Sequence, residues 1–218
     1  MSVVYLIGFI FFAYLMGSIP TSVWIGKYFY GIDVRDHGSK NAGATNTFRV
    51  LGPKAGIPVF IIDVVKGWAP VFIARNVMQV FPDSSDNFLI PIILGIVAVF
   101  GHIFPVFAKF KGGKGVATML GISIALHPIA AGICAGLFLI VLIITKYVSL
   151  GSLLAGIFFP LLINFILGTP SISLMIFSVL ASVTIVITHQ KNIMRLVTAS
   201  ENKTYLFKSQ IRRGGHSS

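Results

Sequence analysis

The stretch "GISIALHPIAAGICAGLFLIVLIITK", residues 121–146, decides how the chain is divided into helices. Proline disfavours helical backbone at the residue before it, and here Pro128 follows His127. One helix through 115–146 would also place Lys146 and the basic C-terminal segment on opposite sides of a membrane. We therefore predict a turn near Pro128, with one apolar segment before it and another after it.

The composition predicts an α-helical membrane protein. Of 218 residues, 56% are hydrophobic and only 11% are charged, and the mean hydropathy is +0.91. About a quarter of the residues in a soluble domain are charged. Apolar runs of roughly 20 residues suit membrane-spanning helices, whereas barrel strands are shorter and alternate. The fold class is therefore all-α, polytopic.

Seven apolar segments are predicted to be transmembrane helices, and they cover residues 3–26, 55–76, 88–108, 115–127, 129–146, 150–167 and 171–189. The loops between them are alternately basic and not basic. By the positive-inside rule, the N-terminus is predicted to lie outside and the C-terminus in the cytoplasm. We predict a single integral domain over 1–203 and a basic tail over 204–218.

The formal net charge is +11. In a membrane protein a positive charge of this size is better explained by membrane topology and by binding of anionic lipids or substrates than by binding of nucleic acid. No nucleic-acid partner is therefore expected. The one cysteine, Cys134, lies in an apolar run. Without a C-x-x-C pair or a histidine cluster, the sequence predicts no metal and no cofactor.

A phosphate site is predicted at "KFKGGKGVAT", residues 109–118. Glycines let backbone N–H groups approach a ligand closely, and a helix beginning near Val116 would favour an anion at its N-terminus. The residues assigned to this site are Gly112, Gly113, Gly115 and Lys114. Gly115 follows Lys114, so the pattern is not a Walker A loop. A flexible loop with topogenic lysines is an equally good interpretation of this stretch alone.

A second polar loop, residues 37–52, is low in acids and rich in amides and hydroxyls. Arg49 can bind a phosphate through two parallel hydrogen bonds. Ser39, Asn41 and Asn46 supply the kinds of group that recognise phosphate and hydroxyl. A functional site is favoured here over an ordinary turn-rich loop.

Two pairs of polar residues near helix ends give weaker signals. His189 and Asn192 are three residues apart, so they share one face of a helix, and His189 can act as a base or as a donor to phosphate. Ser149 and Ser152 also share a face, but serines at helix starts are most often caps.

Asp63 and Lys66 lie inside the second apolar segment. Charges within a membrane span suggest function. At this spacing the two can pair with each other, and we favour a buried structural ion pair.

Six stretches together resemble the bacterial acyl-phosphate-dependent glycerol-3-phosphate acyltransferases, a small family of integral membrane enzymes. They span nearly the whole chain and read "GSIPTSVWIGK" (17–27), "GSKNAGATNTFRVLGPKAG" (38–56), "DVVKG" (63–67), "GHIFPVFAKFKGGKGVAT" (101–118), "YVSLGS" (147–152) and "HQKNIMRLVTASENK" (189–203).

The resemblance implies transfer of an acyl group from acyl phosphate to the 1-hydroxyl of sn-glycerol 3-phosphate, with no cofactor, at the cytoplasmic face of the bacterial plasma membrane. The soluble enzyme that makes acyl phosphate is a candidate partner, beside membrane lipid. The residues expected to be catalytic are Ser39, Arg49, Lys114, His189 and Asn192. Those expected to bind substrate are Asn41, Asn46, Gly112, Gly113, Gly115 and Ser152. Glu201 is expected to support the structure.

Two other functions fit parts of the sequence. A transporter of an anionic phosphorylated metabolite would place its binding site near the midplane, between inverted repeats. Here the polar residues gather at one face and no repeat is found. A lipid-binding scaffold with topogenic charges alone would tolerate alanine at Arg49, Lys114 and His189.

Overall fold

A computed structural model describes residues 3–79, 88–168 and 171–204, with the side chains of 77–79 excepted. Within these ranges the chain is helical and has no β-strand. The helices are α1 Val3–Ser18, α2 Thr21–Tyr30, α3 Ala44–Leu51, α4 Pro53–Gln79, α5 Leu89–Ile103, α6 Val116–Leu126, α7 Pro128–Thr145, α8 Val148–Leu161, α9 Ile172–Thr188 and α10 Gln190–Val197. The predicted acidic loop with Asp83 and Asp86, and the tail after Thr204, lie outside the described residues.

The described helices confirm a multi-pass membrane fold. Four of them are long and apolar enough to cross a bilayer, and six crossings result if each of two bent helix pairs is one span. Helix α6 is apolar but has only 11 residues, about 16 Å at 1.5 Å per residue. The prediction of seven crossings needs α6 as a short crossing, and it stays a prediction.

The first predicted segment, 3–26, is not one straight helix. Helix α1 ends at Ser18 and α2 begins at Thr21, with a bend of 43° between them. Pro20 lies in the gap and has no N–H to continue the helical ladder. The Ile19 carbonyl accepts hydrogen bonds from the Thr21 N–H at 3.0 Å and from Lys66 Nζ at 2.9 Å. The predicted ion pair is confirmed, because the same Lys66 Nζ lies 2.8 Å from Asp63 Oδ1.

The turn predicted near Pro128 is present. Helix α6 ends at Leu126 and α7 begins at Pro128. His127 between them is non-helical, at φ −150° and ψ 81°. Its Nδ1 accepts a hydrogen bond from the Ala130 N–H. The residue before the proline thus caps the second helix.

Glycines bring pairs of helices into backbone contact. A Cβ added at Gly67 in α4 would lie 2.0 Å from the Thr118 carbonyl oxygen in α6, and one at Gly121 in α6 would lie 2.0 Å from the Val64 carbonyl oxygen in α4. Helices α1 and α5 meet in the same way at Gly17. Between helices in lipid, where no hydrophobic force operates, such close packing is a main source of association.

Arg75, near the end of α4, anchors the far end of the short helix α6. Its guanidinium donates to the Ala125 carbonyl at 2.5 Å and lies 5.4 Å from the centre of the Phe88 ring. A cation at a helix C-terminus is favourable because the last carbonyls carry partial negative charge.

Replacing Gly121 with alanine should destabilise the fold, because the new methyl group would overlap the α4 backbone. We expect a loss of about 1–3 kcal/mol, seen as a lower melting temperature in detergent. Gly132→Ala is the matched control, since a Cβ there meets nothing within 4 Å and should stabilise by roughly 0.4–1 kcal/mol. Equal melting temperatures for the two variants would contradict the close contact.

Candidate active site

A cavity of about 270 Å³ opens where several helix ends meet. Its wall is formed by residues of α3 and the loop before it, of α4, α5, α7 and α8, of the loop before α6 and the first turn of α6, and of the segment around α10. The predicted site residues that line it are Ser39, Asn41, Asn46, Arg49, Lys114, Gly115, Ser152, His189 and Asn192. The fold therefore brings together most of the residues that the sequence indicated.

Lys114 is held at the cavity by a chain of polar contacts. Its Nζ donates to Asn192 Oδ1, and Asn192 Nδ2 donates to Glu201 Oε1 at 2.9 Å. The other Glu201 oxygen, Oε2, lies 3.4 Å from Arg195 Nε. These contacts connect the loop before α6, helix α10 and the segment after α10, and they hold Lys114 in position.

Burial lowers the pKa of Lys114 to about 8, because the cavity wall disfavours the charged ammonium. The cations Arg195 and Arg49 add to this lowering, while the Glu201 carboxylate opposes it. At neutral pH the ammonium form still predominates. An anion that enters the cavity therefore meets a positive charge that is poorly solvated.

Arg49 lies on α3 and reaches the end of the described chain. Its Nη2 donates to Thr204 Oγ1 at 3.0 Å, and its Nε is buried without a hydrogen-bond partner in the described part of the chain. Burial lowers its pKa, but a guanidinium stays protonated in proteins. The unused Nε–H leaves Arg49 with capacity to bind an anion.

Thr204 is packed rather than peripheral. It is buried, and its N–H donates to the Lys146 carbonyl at 2.9 Å. The predicted domain boundary after residue 203 therefore falls inside packed chain. The short segment Glu201–Thr204 is part of the site, and sequence gave no signal for this beyond Glu201.

Asn46 orders the loop around Ser39. Its Oδ1 accepts from the Ser39 N–H at 2.8 Å and from the Ser39 hydroxyl at 3.1 Å. Its Nδ2 donates to the carbonyls of Val34 and His37. With both amide hydrogens used, Asn46 positions Ser39 and has no donor left for a ligand.

Two of the three glycines predicted to bind phosphate, Gly112 and Gly113, have backbone N–H groups that are already hydrogen-bonded. The N–H groups of Gly112 and Gly113 donate to the carbonyls of Ile103 and His102, both at 3.1 Å. They are not free for a phosphate, so that part of the prediction is wrong. The packing requires glycine at both positions. A Cβ added at Gly112 would lie 2.0 Å from the His102 carbonyl oxygen, and one added at Gly113 would lie 2.2 Å from the His102 ring. Gly115, at φ +80°, starts α6 and does line the cavity.

The two serines of α8 are not caps, so the capping interpretation is wrong. The helix begins at Val148, and Tyr147 occupies the capping position. The Ser152 hydroxyl donates to the Val148 carbonyl at 2.9 Å. The Ser149 hydroxyl is buried and has no partner in the described residues, and both serines line the cavity.

His189 lies at a bend of 62° between α9 and α10, so it does not share one straight helix with Asn192. Its Nδ1 is 2.8 Å from the Ile185 carbonyl, a contact that fixes the proton on Nδ1 in a neutral ring. Nε2 then carries the lone pair. The bend places His189 and Asn192 together on the cavity wall.

Two cavity residues that the site prediction missed come from membrane spans. Asp63 and His102 both line the cavity, and His102 Nδ1 lies 3.9 Å from Asp63 Oδ1. Nothing in the spacing of two residues on separate helices shows that they meet. The charge within an apolar segment was the one available signal, and it was interpreted as a structural pair.

These features define a class: an integral membrane protein with a recessed, cationic pocket at the ends of its helices. Comparisons with known proteins define it further. The model of the family described as "Glycerol-3-phosphate acyltransferase" matches residues 7–199. A "Glycerol-3-phosphate acyltransferase" of Fusobacterium nucleatum is 45% identical over 195 residues, covering 89% of this chain and 96% of that protein. One of Chlorobaculum tepidum is 43% identical, covering 88% and 93%.

Solved structures agree. The crystal structure of PlsY (YgiH), an integral membrane glycerol 3-phosphate acyltransferase, in its glycerol 3-phosphate form, matches with a TM-score of 0.82 at 38% identity. The match covers 91% of this chain and 95% of that one. Its lysophosphatidic acid form matches with a TM-score of 0.79 at 36% identity, covering 93% and 96%. The chain belongs to the glycerol-3-phosphate acyltransferase family, which supports an acyltransferase over the transporter.

Affinity for sulfate should report the charge on Lys114, since sulfate keeps its double charge near neutral pH. Sulfate binding should be constant below pH 8 and should weaken above it, as the ammonium loses its proton. Lys114→Arg stays charged and should remove this weakening, while Lys114→Ala should bind weakly throughout. Calorimetry in detergent at fixed ionic strength measures all three. The same decline above pH 8 in the arginine variant would contradict the assignment.

Proposed function

We propose that the protein transfers an acyl group from acyl phosphate to the 1-hydroxyl of sn-glycerol 3-phosphate and releases 1-acyl-glycerol 3-phosphate (lysophosphatidic acid) and phosphate. The observation that carries this is that cationic and apolar side chains line one cavity. Arg49 and Lys114 lie on its wall together with the apolar side chains Phe60, Phe138 and Leu139. Phe60 and Leu139 are also exposed on the outside of the helices, where lipid would lie.

An acyl phosphate has the matching chemistry, with a dianionic head and a long apolar chain. In the proposal Arg49, Lys114 and Asn192 bind phosphate groups, and Ser39 and His189 contact the reacting atoms. Asn41, Gly115 and Ser152 complete the wall around the substrates. Gly112, Gly113 and Asn46 contribute by holding the loops in place.

The acyl group is proposed to pass directly between the substrates. The Ser39 hydroxyl donates to Asn46 and the Ser152 hydroxyl to a backbone carbonyl, so neither is bonded to a base that would activate it. The 1-hydroxyl oxygen attacks the acyl carbon, the bond from that carbon to the phosphate oxygen breaks, and phosphate leaves. A phosphate oxygen, with a second pKa of about 6, accepts the hydroxyl proton.

Positioning and charge provide most of the catalysis in this mechanism. A mixed anhydride is already activated, so the enzyme has to align the two phosphates and neutralise the charge that develops on the leaving group. The cations Arg49 and Lys114 on the cavity wall suit that task. No metal or cofactor enters the proposed reaction.

The identity of the acyl donor distinguishes this reaction from other acyl transfers to glycerol 3-phosphate. Purified protein in lipid vesicles should form lysophosphatidic acid from acyl phosphate and release one phosphate for each acyl group. Acyl-CoA should give at most about a hundredth of that rate, because the cavity offers its cations to a phosphate leaving group. Equal use of acyl-CoA would refute the proposed donor.

The matched control is incubation with labelled acyl phosphate in the absence of glycerol 3-phosphate. Direct transfer leaves no acyl group on the protein after acid quenching. A stoichiometric acyl-serine at Ser39 or Ser152 would refute the direct mechanism and leave the donor assignment intact.

We place the site at the cytoplasmic face of the bacterial plasma membrane, with the N-terminus outside. Both phosphorylated substrates are cytoplasmic metabolites in this proposal, and a soluble enzyme that makes acyl phosphate would deliver the donor there. The basic loops 27–54 and 109–114 lie on that side by the positive-inside rule.

The sidedness can be tested with single cysteines in a Cys134→Ser background. An impermeant thiol reagent added to intact cells should label Asp83→Cys and leave Lys40→Cys unlabelled, since the two positions are predicted to lie on opposite sides. After the cells are opened, both should react. Labelling of both in intact cells would contradict the topology.

A further inference from the structure

We propose that Asp63 and His102 form a hydroxyl-binding subsite on the cavity wall, and that this subsite selects an acceptor with a hydroxyl group beside the reacting one. The inference rests on the proposed function and deepens it. It assigns a role to two residues from membrane spans that the anion-binding chemistry does not use.

Asp63 has an unused hydrogen-bond acceptor. Its Oδ1 accepts from Lys66 Nζ at 2.8 Å and from the Thr21 hydroxyl at 3.3 Å. Its Oδ2 accepts nothing from the described residues. An ionised carboxylate oxygen can accept hydrogen bonds, so Oδ2 is available to a donor on a ligand in the cavity.

His102 has an unused ring nitrogen next to this carboxylate. The side chain is 5% exposed, and Nδ1 is buried with no hydrogen-bond partner in the described part of the chain. It lies 3.9 Å from Asp63 Oδ1, too far for a direct hydrogen bond. One oxygen atom can lie about 2.8 Å from two atoms at that separation, within normal hydrogen-bond length.

The two residues of the ion pair have different roles, because only one of them lines the cavity. Lys66 points away from the cavity and donates to the Ile19 carbonyl at the break between α1 and α2. Asp63 lines the cavity and Lys66 does not. Lys66 therefore stabilises the fold, and Asp63 is available to a ligand in the cavity.

A hydroxyl group is the ligand that fits these two residues. A carboxylate repels phosphate and accepts a hydrogen bond from O–H, and an imidazole nitrogen can donate to or accept from the same oxygen. Arg49 and Lys114 line the same cavity. A phosphorylated polyol can therefore bind with its phosphate at these cations and its second hydroxyl at Asp63 and His102.

The acceptor lacking that hydroxyl tests the subsite. Glycerol 3-phosphate and 3-hydroxypropyl phosphate share the phosphate and the reacting primary hydroxyl, and they differ in the hydroxyl at the middle carbon. A site built to bind a hydroxyl can reject the analogue without it by up to about 10⁴–10⁵. We expect the wild type to prefer glycerol 3-phosphate by at least about 100-fold in kcat/KM.

The variant Asp63→Asn should lose most of this preference. We expect kcat/KM for glycerol 3-phosphate to fall at least about tenfold and kcat/KM for 3-hydroxypropyl phosphate to change less than about threefold. His102→Phe keeps a ring of similar shape without its nitrogens, and it should shift the preference in the same direction. If Asp63→Asn does not fold, His102→Phe decides the question alone.

Two controls separate the subsite from other effects. Gly121→Ala disturbs the packing of α6 on α4 at a residue that does not line the cavity, so it should lower the melting temperature and keep the preference. Arg49→Lys should lower activity equally on both acceptors, since both carry phosphate.

A preference unchanged in folded Asp63→Asn and His102→Phe would overturn the subsite alone, as would a wild type that uses both acceptors equally. Transfer to neither acceptor would overturn the proposed function together with the subsite.

Discussion

The contact of Lys66 with the Ile19 carbonyl is the interaction on which the rest of the structure depends. In a bilayer no water is available for the backbone groups at a break between helices, and Pro20 lies at such a break. The Ile19 carbonyl there accepts from the Thr21 N–H at 3.0 Å and from Lys66 Nζ at 2.9 Å, and Asp63 compensates the lysine charge at 2.8 Å. A buried charge without its partner is strongly destabilising, so the break, the lysine and the aspartate form one unit. Asp63, the anion of this unit, also lies on the cavity wall.

The site as a whole is built from interrupted helices. Helix α5 ends at Ile103, and its last carbonyls receive the N–H groups of Gly112 and Gly113. Helix α9 ends at the bend before His189 and Asn192. At each interruption a polar or glycine-rich segment satisfies the free backbone groups, and the neighbouring side chains face the cavity. The backbone contact at Gly67 and Gly121 fixes α6, whose first turn follows Lys114. Helix packing and the position of the anion site are therefore set by the same residues.

Much of this arrangement could be predicted from the sequence. Apolar length, alternating basic loops and the proline after His127 indicated the helices and the turn, because these signals are local. Clusters of glycine, amide and basic residues indicated most of the cavity wall, because such groups are rare in an apolar chain. The prediction failed where the outcome depends on which elements pack together. Gly112 and Gly113 contact the end of α5 rather than a ligand, and His102 meets Asp63 across two helices. The capping role predicted for the serines of α8 is wrong because the helix begins at Val148, two residues before the predicted start, and its capping position is held by Tyr147, which makes no side-chain cap.

The cation-lined cavity must remain stable when it is empty, and Lys114 makes this possible. Burial is the main cause of the lowered pKa of Lys114, and repulsion by Arg195 and Arg49 adds to it while the Glu201 carboxylate opposes it. The pKa of Lys114, lowered to about 8, keeps its proton within reach of release near neutral pH, whereas the arginines cannot release theirs. A dianion entering the cavity favours the charged amine and raises its pKa again. Linkage then requires that the protonated form bind the anion more tightly than the neutral form does. At and above pH 8, binding of a dianion is therefore expected to be accompanied by proton uptake at Lys114, the residue that Asn192 and Glu201 hold in place.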